Sequence, residues 1–513
     1  MSQQLWELAR SRMPDQAFST LFPARDVERR LNTAEGVEAA IAWCRETGVT
    51  KVYVESFRGG LLATEENLLR ARDGFANAGL VASGCITTTG MAKSSEVGWK
   101  EFPCFTNPRT REQLAEIFAR AARIFDEIMI DDFYCTACEC AECQRARGDR
   151  SWADYRLELM REVSARDLLA PARAANPHVK IIIKYPQWYE QFHERGYDVD
   201  RQTEMFDRIW VGTEARDMDH ARWGGCATYR PFWLMRWLGQ IGGEKCGGGW
   251  YDPYGTHEDT YLEQARQTIL GGARESLLFC YGSLLRDTGP ANVAALRAEL
   301  PALLDLAAWV KGEAPRGLVS YRPMNAAHGG DEYVFDWLGM IGLPIIPTHQ
   351  FPAGAKAAFF SAHAAHDQGF SAKLREFLAG GGRAVVTPRA PALASQSGVE
   401  VLPLPAAPRD LVSLRAEEIT ALRKAALAPV GLALEGPPGV SLYLLGDRKL
   451  ALENFNEEPV EMRLTIPDAA AYRLALTLGR PGAELLPHGG SLRVTVPGRS
   501  LVAAEQGEPR GRL

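Results

Sequence analysis

The sequence lacks the long apolar segments typical of exported and membrane proteins. Residues Met1 to Arg12 are polar and charged, without the apolar core of a signal peptide. No stretch approaches the roughly 20 apolar residues of a membrane span. The net charge is only −6 over 513 residues, which argues against broad electrostatic binding to nucleic acid or to an anionic membrane. We therefore predict a cytoplasmic protein that has neither of these partners.

Several catalytic signatures are also missing. The sequence has no HExxH motif and no histidine pair beside a carboxylate, which argues against a hydrolase or lyase with a catalytic zinc. His220 and His257 stand isolated, without metal-ligand spacing. The segment 316–405 has no Gly-rich nucleotide fingerprint. Catalytic groups are therefore expected among the carboxylates.

Short β-rich runs alternate with helical stretches from about residue 15 to 290, a pattern that predicts a parallel sheet with crossover helices. Asn32 and Glu35 predict the start of a helix at Thr33, and Gly48 predicts its end. Eight strands with intervening helices predict an α/β fold, a (β/α)8 TIM barrel over residues 1–315. A doubly wound sheet is the alternative. The predicted strands end near Phe22, Ser56, Thr88, Asp132, Tyr185, Thr213, Trp250 and Tyr281.

The pattern restarts after the barrel. Residues 316–405 alternate between strands and helices and predict a small α/β domain. Residues 406–513 begin with a linker and a short helical stretch and continue as strands separated by turn residues, which predicts a β-sandwich. The chain is therefore expected to hold three domains.

Polar and aromatic side chains follow the predicted strands, where a TIM barrel has its catalytic mouth. Lys184 is expected to bond sugar hydroxyls or to lower the pKa of a carboxyl group, with a salt bridge across the barrel as the alternative. Trp188 is expected to stack on a sugar face. The residues predicted to bind substrate are Glu55, Arg58, Asp131, Lys184, Trp188, Arg216, Trp250 and Asp252.

Four cysteines crowd the segment from Cys135 to Cys143 (CTACECAEC), too closely for an ordinary disulfide framework. Thiolates at this spacing suit a tetrahedral Zn2+ site, with Zn–S distances of about 2.3 Å. We predict Cys104, Cys138, Cys140 and Cys143 as the ligands, with Cys135 in place of Cys104 as the alternative. Four thiolates leave no open position for substrate, so the zinc is predicted to be structural. Reduced surface thiols are the other possibility.

The pattern C-x-C-x2-C after the fourth strand (Cys138, Cys140 and Cys143), with the earlier Cys104, resembles the zinc site of the trimeric bacterial β-galactosidases. The predicted architecture is similar too, because the barrel of that family is followed by a glutamine-amidotransferase-like trimerisation domain and a small β-domain. The resemblance implies that residues 316–405 are amidotransferase-like and make the chain a homo-oligomer, a trimer or a dimer. It suggests a divergent glycoside hydrolase with a carbohydrate substrate.

The resemblance stops short of the catalytic residues. In that family an Asn-Glu pair ends the fourth strand, its Glu is the acid/base, and the nucleophile is a Glu on the seventh strand. Here the matching positions hold Asp131-Asp132, and the seventh strand offers only Asp252, which an Asp-Pro turn would also explain. β-Galactosidase activity itself therefore does not carry over to this chain.

Glycoside hydrolysis needs two carboxylates, about 5–5.5 Å apart for retention or about 6.5–9.5 Å apart for inversion. Because successive strand residues point to opposite sides, only one of Asp131 and Asp132 is expected to face the substrate, and the family match favours Asp132. The α-galactosidase-like barrels resemble this chain in having catalytic carboxylates after strands four and six, so Asp132 is paired with Glu214. The alternative for Glu214 is a structural ion pair with Arg216 or Arg230.

The sequence thus predicts a glycoside hydrolase that cleaves a small or oligomeric sugar with Asp132 and Glu214. The alternative is a catalytically silent sugar-binding or assembly protein on the same scaffold, since barrels host many functions. The sugar, its anomer, the stereochemical outcome and the acid/base identity stay open.

Overall fold

The computed structural model describes residues 2–97, 100–391 and 397–507. The chain divides into two units. The first comprises Met1–Glu214, Ile241–Tyr261 and Ala273–Leu304, and the second comprises Ala215–Gln240, Leu262–Gly272 and Asp305–Leu513.

The first unit contains a closed barrel of eight parallel strands, which confirms the predicted TIM barrel. The last strand pairs with the first, and the first pairs with the second, so the ring has no free edge. The strands are β1 Ala17–Phe22, β2 Lys51–Arg58, β3 Val81–Ile86, β4 Glu127–Ile130, β5 Lys180–Tyr185, β6 Arg208–Gly212, β7 Cys246–Tyr251 and β8 Glu275–Leu278. Each ends within three residues of its predicted end. Three short strands lie outside the ring: Leu61–Leu62, Ser94–Val97 and Lys100–Pro103.

Helices separate the barrel strands. The helix Ala34–Thr47 begins after Thr33, whose hydroxyl accepts a hydrogen bond from the Gly36 N–H, so the cap is Thr33 rather than Asn32. It ends, as predicted, at Gly48, which has a left-handed φ of 71°. The other helices of residues 2–310 are Ser2–Arg12, Ala24–Arg30, Glu65–Asn77, Pro108–Ala122, Ala141–Arg147, Trp152–Val163, Ala170–Ala175, Phe192–Arg195, Arg201–Met205, Arg230–Gly242, Glu258–Leu270, Tyr281–Leu284 and Gly289–Val310.

The barrel interior is filled by side chains, one from each strand and Cys280 after the last. Eight parallel strands turn alternate residues inward, so one residue from each can share a layer. The strand members of this layer are Leu21, Tyr53, Cys85, Met129, Ile182, Trp210, Trp250 and Leu277. The barrel is therefore a packed core, and only the next residues along the strands can form a site at its carboxyl end.

The second unit carries two kinds of sheet. Its parallel sheet has five strands, in the order Ile345–Thr348, Leu318–Tyr321, Ala357–Phe360, Arg383–Val386 and Val399–Val401. A five-stranded antiparallel sheet comprises Pro315–Arg316, Val440–Leu445, Lys449–Asn454, Ser500–Gln506 and Tyr472–Leu478. A four-stranded one comprises Ala433–Glu435, Val460–Thr465, Ser491–Val496 and Glu484–His488. Its later helices are Val334–Met340, Phe370–Ala379 and Ala416–Leu427.

These sheets agree with the predicted α/β segment and β-rich end, while the domain limits at residues 315 and 405 stay predictions. Among the described residues, no helix has both the length and the apolar character that a bilayer crossing requires.

Candidate functional site

Strand alternation determines which side chains reach the barrel mouth. Two residues beyond the interior layer, the inward positions of β2, β4 and β5 are occupied by charged groups. Glu55 follows Tyr53 in this way, Asp131 follows Met129, and Lys184 follows Ile182. The mouth therefore begins with charged residues directly above an apolar layer.

Lys184 joins the two predicted catalytic residues. Its side chain is fully buried, and its Nζ lies 3.3 Å from Asp132 Oδ2 and 3.1 Å from Glu214 Oε1. The same Nζ lies 4.0 Å from the centre of the Trp250 ring in the interior layer. One cation thus holds two carboxylates that come from the ends of β4 and β6.

Glu214 has room for its carboxylate because residue 212 is glycine. A Cβ at Gly212 would lie 2.6 Å from Glu214 Oε2 and 2.8 Å from the backbone nitrogen of Gln187. The Glu214 side chain is 4% exposed, and among the described residues no group is bonded to its Oε2. Glu214 therefore pairs with Lys184 and keeps one buried oxygen available for a hydrogen-bond donor.

Arg58 organises a second charged cluster next to the first. Its Nε lies 2.9 Å from Glu55 Oε2 and 3.0 Å from Glu55 Oε1, and its Nη2 donates to Asp131 Oδ2. The Thr87 hydroxyl lies 2.6 Å from Glu55 Oε1 and 2.9 Å from Asp131 Oδ2. Glu55 Oε2 also accepts from the Ala24 N–H at 2.8 Å. Both oxygens of the buried Glu55 carboxyl group are thus engaged by protein groups.

Strand alternation predicted that only one of Asp131 and Asp132 would face the substrate, and the structure differs from this prediction. β4 ends at Ile130, so alternation no longer turns Asp132 to the side opposite Asp131. Asp131 contacts Arg58, while Asp132 contacts Lys184, and the Asp132 N–H donates to Asp131 Oδ1 at 2.6 Å. Both carboxyl groups therefore join the charged network, one buried and the other 15% exposed.

The neighbouring charges shift the pKa values of Asp131 and Asp132 in opposite directions. Burial and the negative charge of Asp131 raise the pKa of Asp132 well above its usual value, although Lys184 opposes this. Burial alone would raise the pKa of Asp131, but the Arg58 charge and the hydrogen bond from Asp132 hold it below its usual range. Burial lowers the pKa of Lys184, and Asp132 and Glu214 more than reverse that effect. The network thus favours a protonated Asp132 beside an ionised Asp131.

Aromatic rings lie on the β7–β8 side of the mouth. Phe279 is half-buried and stacks on Trp250, with ring centres 4.7 Å apart. Tyr254 meets Phe279 edge-on at 6.1 Å, and the Arg58 guanidinium lies 5.5 Å from the Phe279 ring. Asp252 accepts from the Tyr254 N–H at 3.1 Å, as the Asp-Pro turn alternative required. Phe279 is thus the ring beside the charged cluster.

Trp188 and Arg216 have different surroundings. Trp188 is half-buried after β5 and packs against Tyr197, whose hydroxyl donates to the Asp132 carbonyl oxygen at 2.6 Å. Arg216 belongs to the second unit, where its guanidinium lies 5.2 Å from the Trp223 ring. Arg230, the other arginine considered for Glu214, forms a buried ion pair with Asp336 at 2.6 Å. Direct contact of Trp188 and Arg216 with substrate stays a prediction.

Sequence reasoning missed three residues of the site: Thr87, Tyr197 and Phe279. Thr87 and Phe279 stand two residues after Cys85 and Leu277 of the interior layer, so exact strand register would have found them. Tyr197 lies in an irregular segment after β5, where no periodic signal predicts its direction.

The four predicted cysteine ligands come together in the first unit. The Sγ atoms of Cys104, Cys138, Cys140 and Cys143 all lie within 4.8 Å of one another. Three Sγ pairs are 3.6 to 3.8 Å apart, close to the roughly 3.8 Å edge of a tetrahedron with 2.3 Å Zn–S bonds. Cys135, the alternative ligand, is buried outside this group. The arrangement can hold a metal ion.

Local contacts support the cysteine cluster. Cys140 caps the helix Ala141–Arg147 that carries Cys143, and the Thr106 hydroxyl lies 3.0 Å from Cys143 Sγ. Hydrogen bonds among the neighbouring thiols lower the pKa of Cys138, with Cys104 as the first cause, and raise the pKa of Cys104, with Cys138 as the first cause. The cluster thereby connects the segment after β4 to Cys104, which precedes β4 in the chain.

Comparison with solved structures supports the fold. The α-L-fucosidase isoenzyme 2 from Paenibacillus thiaminolyticus is 12% identical with a TM-score of 0.65, and the alignment covers 96% of this chain and 100% of that one. A β-galactosidase from Bacillus circulans sp. alkalophilus is 11% identical with a TM-score of 0.63, over 96% and 99% of the two chains. A β-galactosidase from G. stearothermophilus is 12% identical with a TM-score of 0.62, over 96% and 98%. At these identities the similarity concerns the fold.

Sequence comparison goes further. An uncharacterized protein of Saccharolobus solfataricus is 26% identical over 347 residues, which are 61% of this chain and 57% of that protein's length. Residues 3–295, more than half of the chain, match the family described as "Probable glycosyl hydrolase, catalytic domain". The matched range includes the whole barrel and both charged clusters. The chain therefore belongs to this glycosyl hydrolase family.

Proposed function

We propose that this glycoside hydrolase cleaves the glycosidic bond of a small or oligomeric sugar with Asp132 as general acid and Glu214 as nucleophile. The observation that carries the proposal is the position of Lys184 Nζ, 3.3 Å from Asp132 and 3.1 Å from Glu214. Two carboxyl groups around one buried cation, at the carboxyl end of a barrel, suit the acid and nucleophile roles of glycoside hydrolysis.

The separation of the two carboxyl groups supports a retaining reaction. Because both oxygens contact the same nitrogen, they can be no farther apart than the two contact distances added together. That limit lies below the roughly 6.5 Å at which inverting pairs begin, since those pairs must admit a water molecule. We therefore infer a covalent glycosyl-enzyme intermediate on Glu214.

The charges support the division of roles. The raised pKa of Asp132 keeps its proton available for the leaving-group oxygen. The Lys184 ammonium favours negative charge on the adjacent Glu214 carboxylate, as a nucleophile requires. Two carboxyl groups in different environments can thus perform two steps: protonation of the departing oxygen and attack on the anomeric carbon.

The sugar itself is inferred only as a class. Phe279 offers an apolar ring face beside the charged residues, and pyranose rings stack on such faces. Because Asp131 already matches the Arg58 charge, we expect a neutral sugar rather than a uronic acid. The fold neighbours are named as a fucosidase and as β-galactosidases, so fucosides and galactosides are the first substrates to test.

The test is turnover on aryl glycosides of both anomers. Asp132→Asn should lower kcat on the order of 10²–10⁴-fold, and more strongly for poor leaving groups, because these need the proton. Glu214→Gln should lose as much activity on every leaving group. Asp149→Asn, which changes an exposed aspartate, is the matched control and should keep wild-type turnover.

The deep burial of Glu214 is the observation that weighs against its role, so Asp252→Asn belongs in the same series. Asp252 is buried and holds the Tyr254 turn. If Asp252→Asn abolishes turnover while Glu214→Gln retains it, the nucleophile assignment is wrong.

We also propose that the cysteine cluster binds one structural Zn2+. All four potential positions are thiolates, so the ion would fix the segment after β4 and offer no open position to a substrate. The glycoside hydrolysis proposed above uses none of these residues.

Assembly and compartment are further proposals. We propose that residues 316–405 mediate formation of a trimer or dimer, and a strictly monomeric mass in light scattering at micromolar concentration would contradict this. A cytoplasmic location is supported by the ten cysteines, none of which forms a disulfide bond in the described part of the chain.

A further inference from the structure

The mouth contains more acidic groups than cations. The carboxyl groups of Glu55, Asp131, Asp132 and Glu214 share two basic side chains, Arg58 and Lys184. Desolvated charges must be neutralised, so some of these carboxyl groups are expected to carry protons. The position of these protons decides which aspartate can act as an acid.

Thr87 shows where one proton lies. Its hydroxyl oxygen lies 2.6 Å from Glu55 Oε1 and 2.9 Å from Asp131 Oδ2. A hydroxyl has one proton to donate, and two ionised carboxylates can only accept. Both contacts are hydrogen bonds only if one of the two carboxyl groups donates its own proton to the Thr87 oxygen.

The remaining partners identify the donor as Glu55. Asp131 accepts from the Arg58 guanidinium and from the Asp132 N–H, contacts that favour its ionised form. The Arg58 Nε is shared between the two Glu55 oxygens, 2.9 Å from Oε2 and 3.0 Å from Oε1, whereas the Arg58 Nη2 donates to Asp131. Glu55 Oε2 also accepts from the Ala24 N–H, so Oε1 is the oxygen that carries the proton toward Thr87. The nearby Cys85 thiol stays neutral because burial raises its pKa well above the usual value.

We infer that Glu55, as a neutral acid, donates to Thr87, and that Thr87 donates to Asp131, which is thereby held as an anion beside Asp132. The inference rests on the proposed acid role of Asp132. Glu55 and Thr87 are positioning residues in this arrangement, since they act on Asp132 through Asp131. Burial raises the pKa of Glu55, with Arg58 opposing, in agreement with a protonated Glu55.

The consequence for catalysis is electrostatic. The fixed negative charge of Asp131 adjoins Asp132 and opposes its ionisation, while Lys184 favours ionisation and Glu214 opposes it. Without the Thr87 donor, the Asp131 carboxylate loses a hydrogen bond that stabilises its negative charge. Asp131 is then protonated in a larger fraction of the molecules. Asp132 would then ionise at lower pH, and the acid form would be lost earlier as the pH rises.

The first experiment compares pH–rate profiles of the full-length enzyme. Thr87→Val should move the alkaline limb of kcat/KM down by roughly one pH unit, whereas Thr87→Ser should restore the wild-type profile. Thr88→Val is the matched control, because the neighbouring Thr88 hydroxyl donates to the Phe133 carbonyl oxygen, at 2.8 Å, rather than to a carboxyl group. Equal profiles for Thr87→Val and Thr88→Val would overturn the inference.

The second experiment reads the proton directly and needs no substrate. The infrared spectrum of the wild-type enzyme near neutral pH should contain a protonated-carboxyl band that Glu55→Gln removes, and Thr87→Val should shift that band by removing its hydrogen-bond acceptor. A protonated-carboxyl spectrum that neither variant alters would overturn the inference. If the band behaves as expected while Asp132→Asn retains full turnover, the proton chain stands and the proposed acid role of Asp132 fails.

Discussion

At the residue scale, the site depends on what stands beside each carboxyl group. Asp131 and Asp132 are adjacent in sequence, yet Arg58 pairs with the first and Lys184 with the second. The sequence indicated that Asp132 and Glu214 follow strands four and six, and the structure brings both to Lys184 on the strand between them. It could not indicate Thr87, because a threonine among three in succession has no distinguishing pattern until the inward register of β3 is known.

Gly212 provides a residue-scale prediction. In Gly212→Ala, the new Cβ would press on Glu214 Oε2 and on the Gln187 backbone, so the Glu214 carboxylate must move. We expect kcat to fall by up to about 10²-fold, the effect of displacing a reacting group by about 1 Å. Gly239→Ala is the control, since no heavy atom lies within 4 Å of the corresponding Cβ. Equal turnover of the two variants, with normal circular dichroism, would contradict the role of Gly212 in positioning the Glu214 carboxylate.

At the element scale, periodic segments were predictable and irregular ones were not. All eight barrel strands and six of the eight strands described within residues 406–507 were predicted, because each is a short apolar run between turn residues. Ala433–Glu435 and Glu484–His488 were missed: one is only three residues long, and the other carries mostly exposed side chains and a proline. The sequence also predicted Asn32 as the cap of the helix Ala34–Thr47, whereas the structure has Thr33. The two could not be separated by sequence, since both residue types cap helices.

The segment after β4 provides the element-scale prediction. Wild-type protein should contain about one zinc per chain, and Cys140→Ser should lose most of it together with thermal stability, since a thiolate ligand is removed. Cys135→Ser changes a buried cysteine outside the cluster and should retain the metal. Elemental analysis of both purified variants gives the answer. Zinc loss in Cys135→Ser but not in Cys104→Ser would contradict the ligand set.

At the scale of the whole molecule, the stability should depend on pH through a buried acid of the second unit. Glu453 is fully buried beside Gln267 and Tyr443, and its Tyr443 contact is 3.3 Å long. Burial is the main cause that raises the pKa of Glu453 from 4.5 to about 8, with Arg266 opposing and Glu263 adding to the shift. Between these values the folded chain keeps a proton that the unfolded chain has released.

Stability should therefore fall as the pH rises from about 4.5 to about 8, where folded Glu453 in turn ionises. In Glu453→Gln this contribution is absent, so the decline in Tm over that interval should be shallower than in the wild type. Differential scanning calorimetry at several pH values measures the slope. A variant whose Tm declines as steeply as that of the wild-type protein would show that Glu453 ionises normally in the folded state.

The central claim is that Glu214 attacks the sugar while Asp132 protonates the leaving group. The most direct measurement is mass spectrometry of the enzyme after reaction with a 2-deoxy-2-fluoro glycoside of the sugar that it turns over, because such compounds let a covalent glycosyl-enzyme accumulate. The account predicts one sugar per chain, on the peptide that contains Glu214, and none in Glu214→Gln. A label on the peptide with Asp252, or turnover with inversion and no label at all, would contradict it.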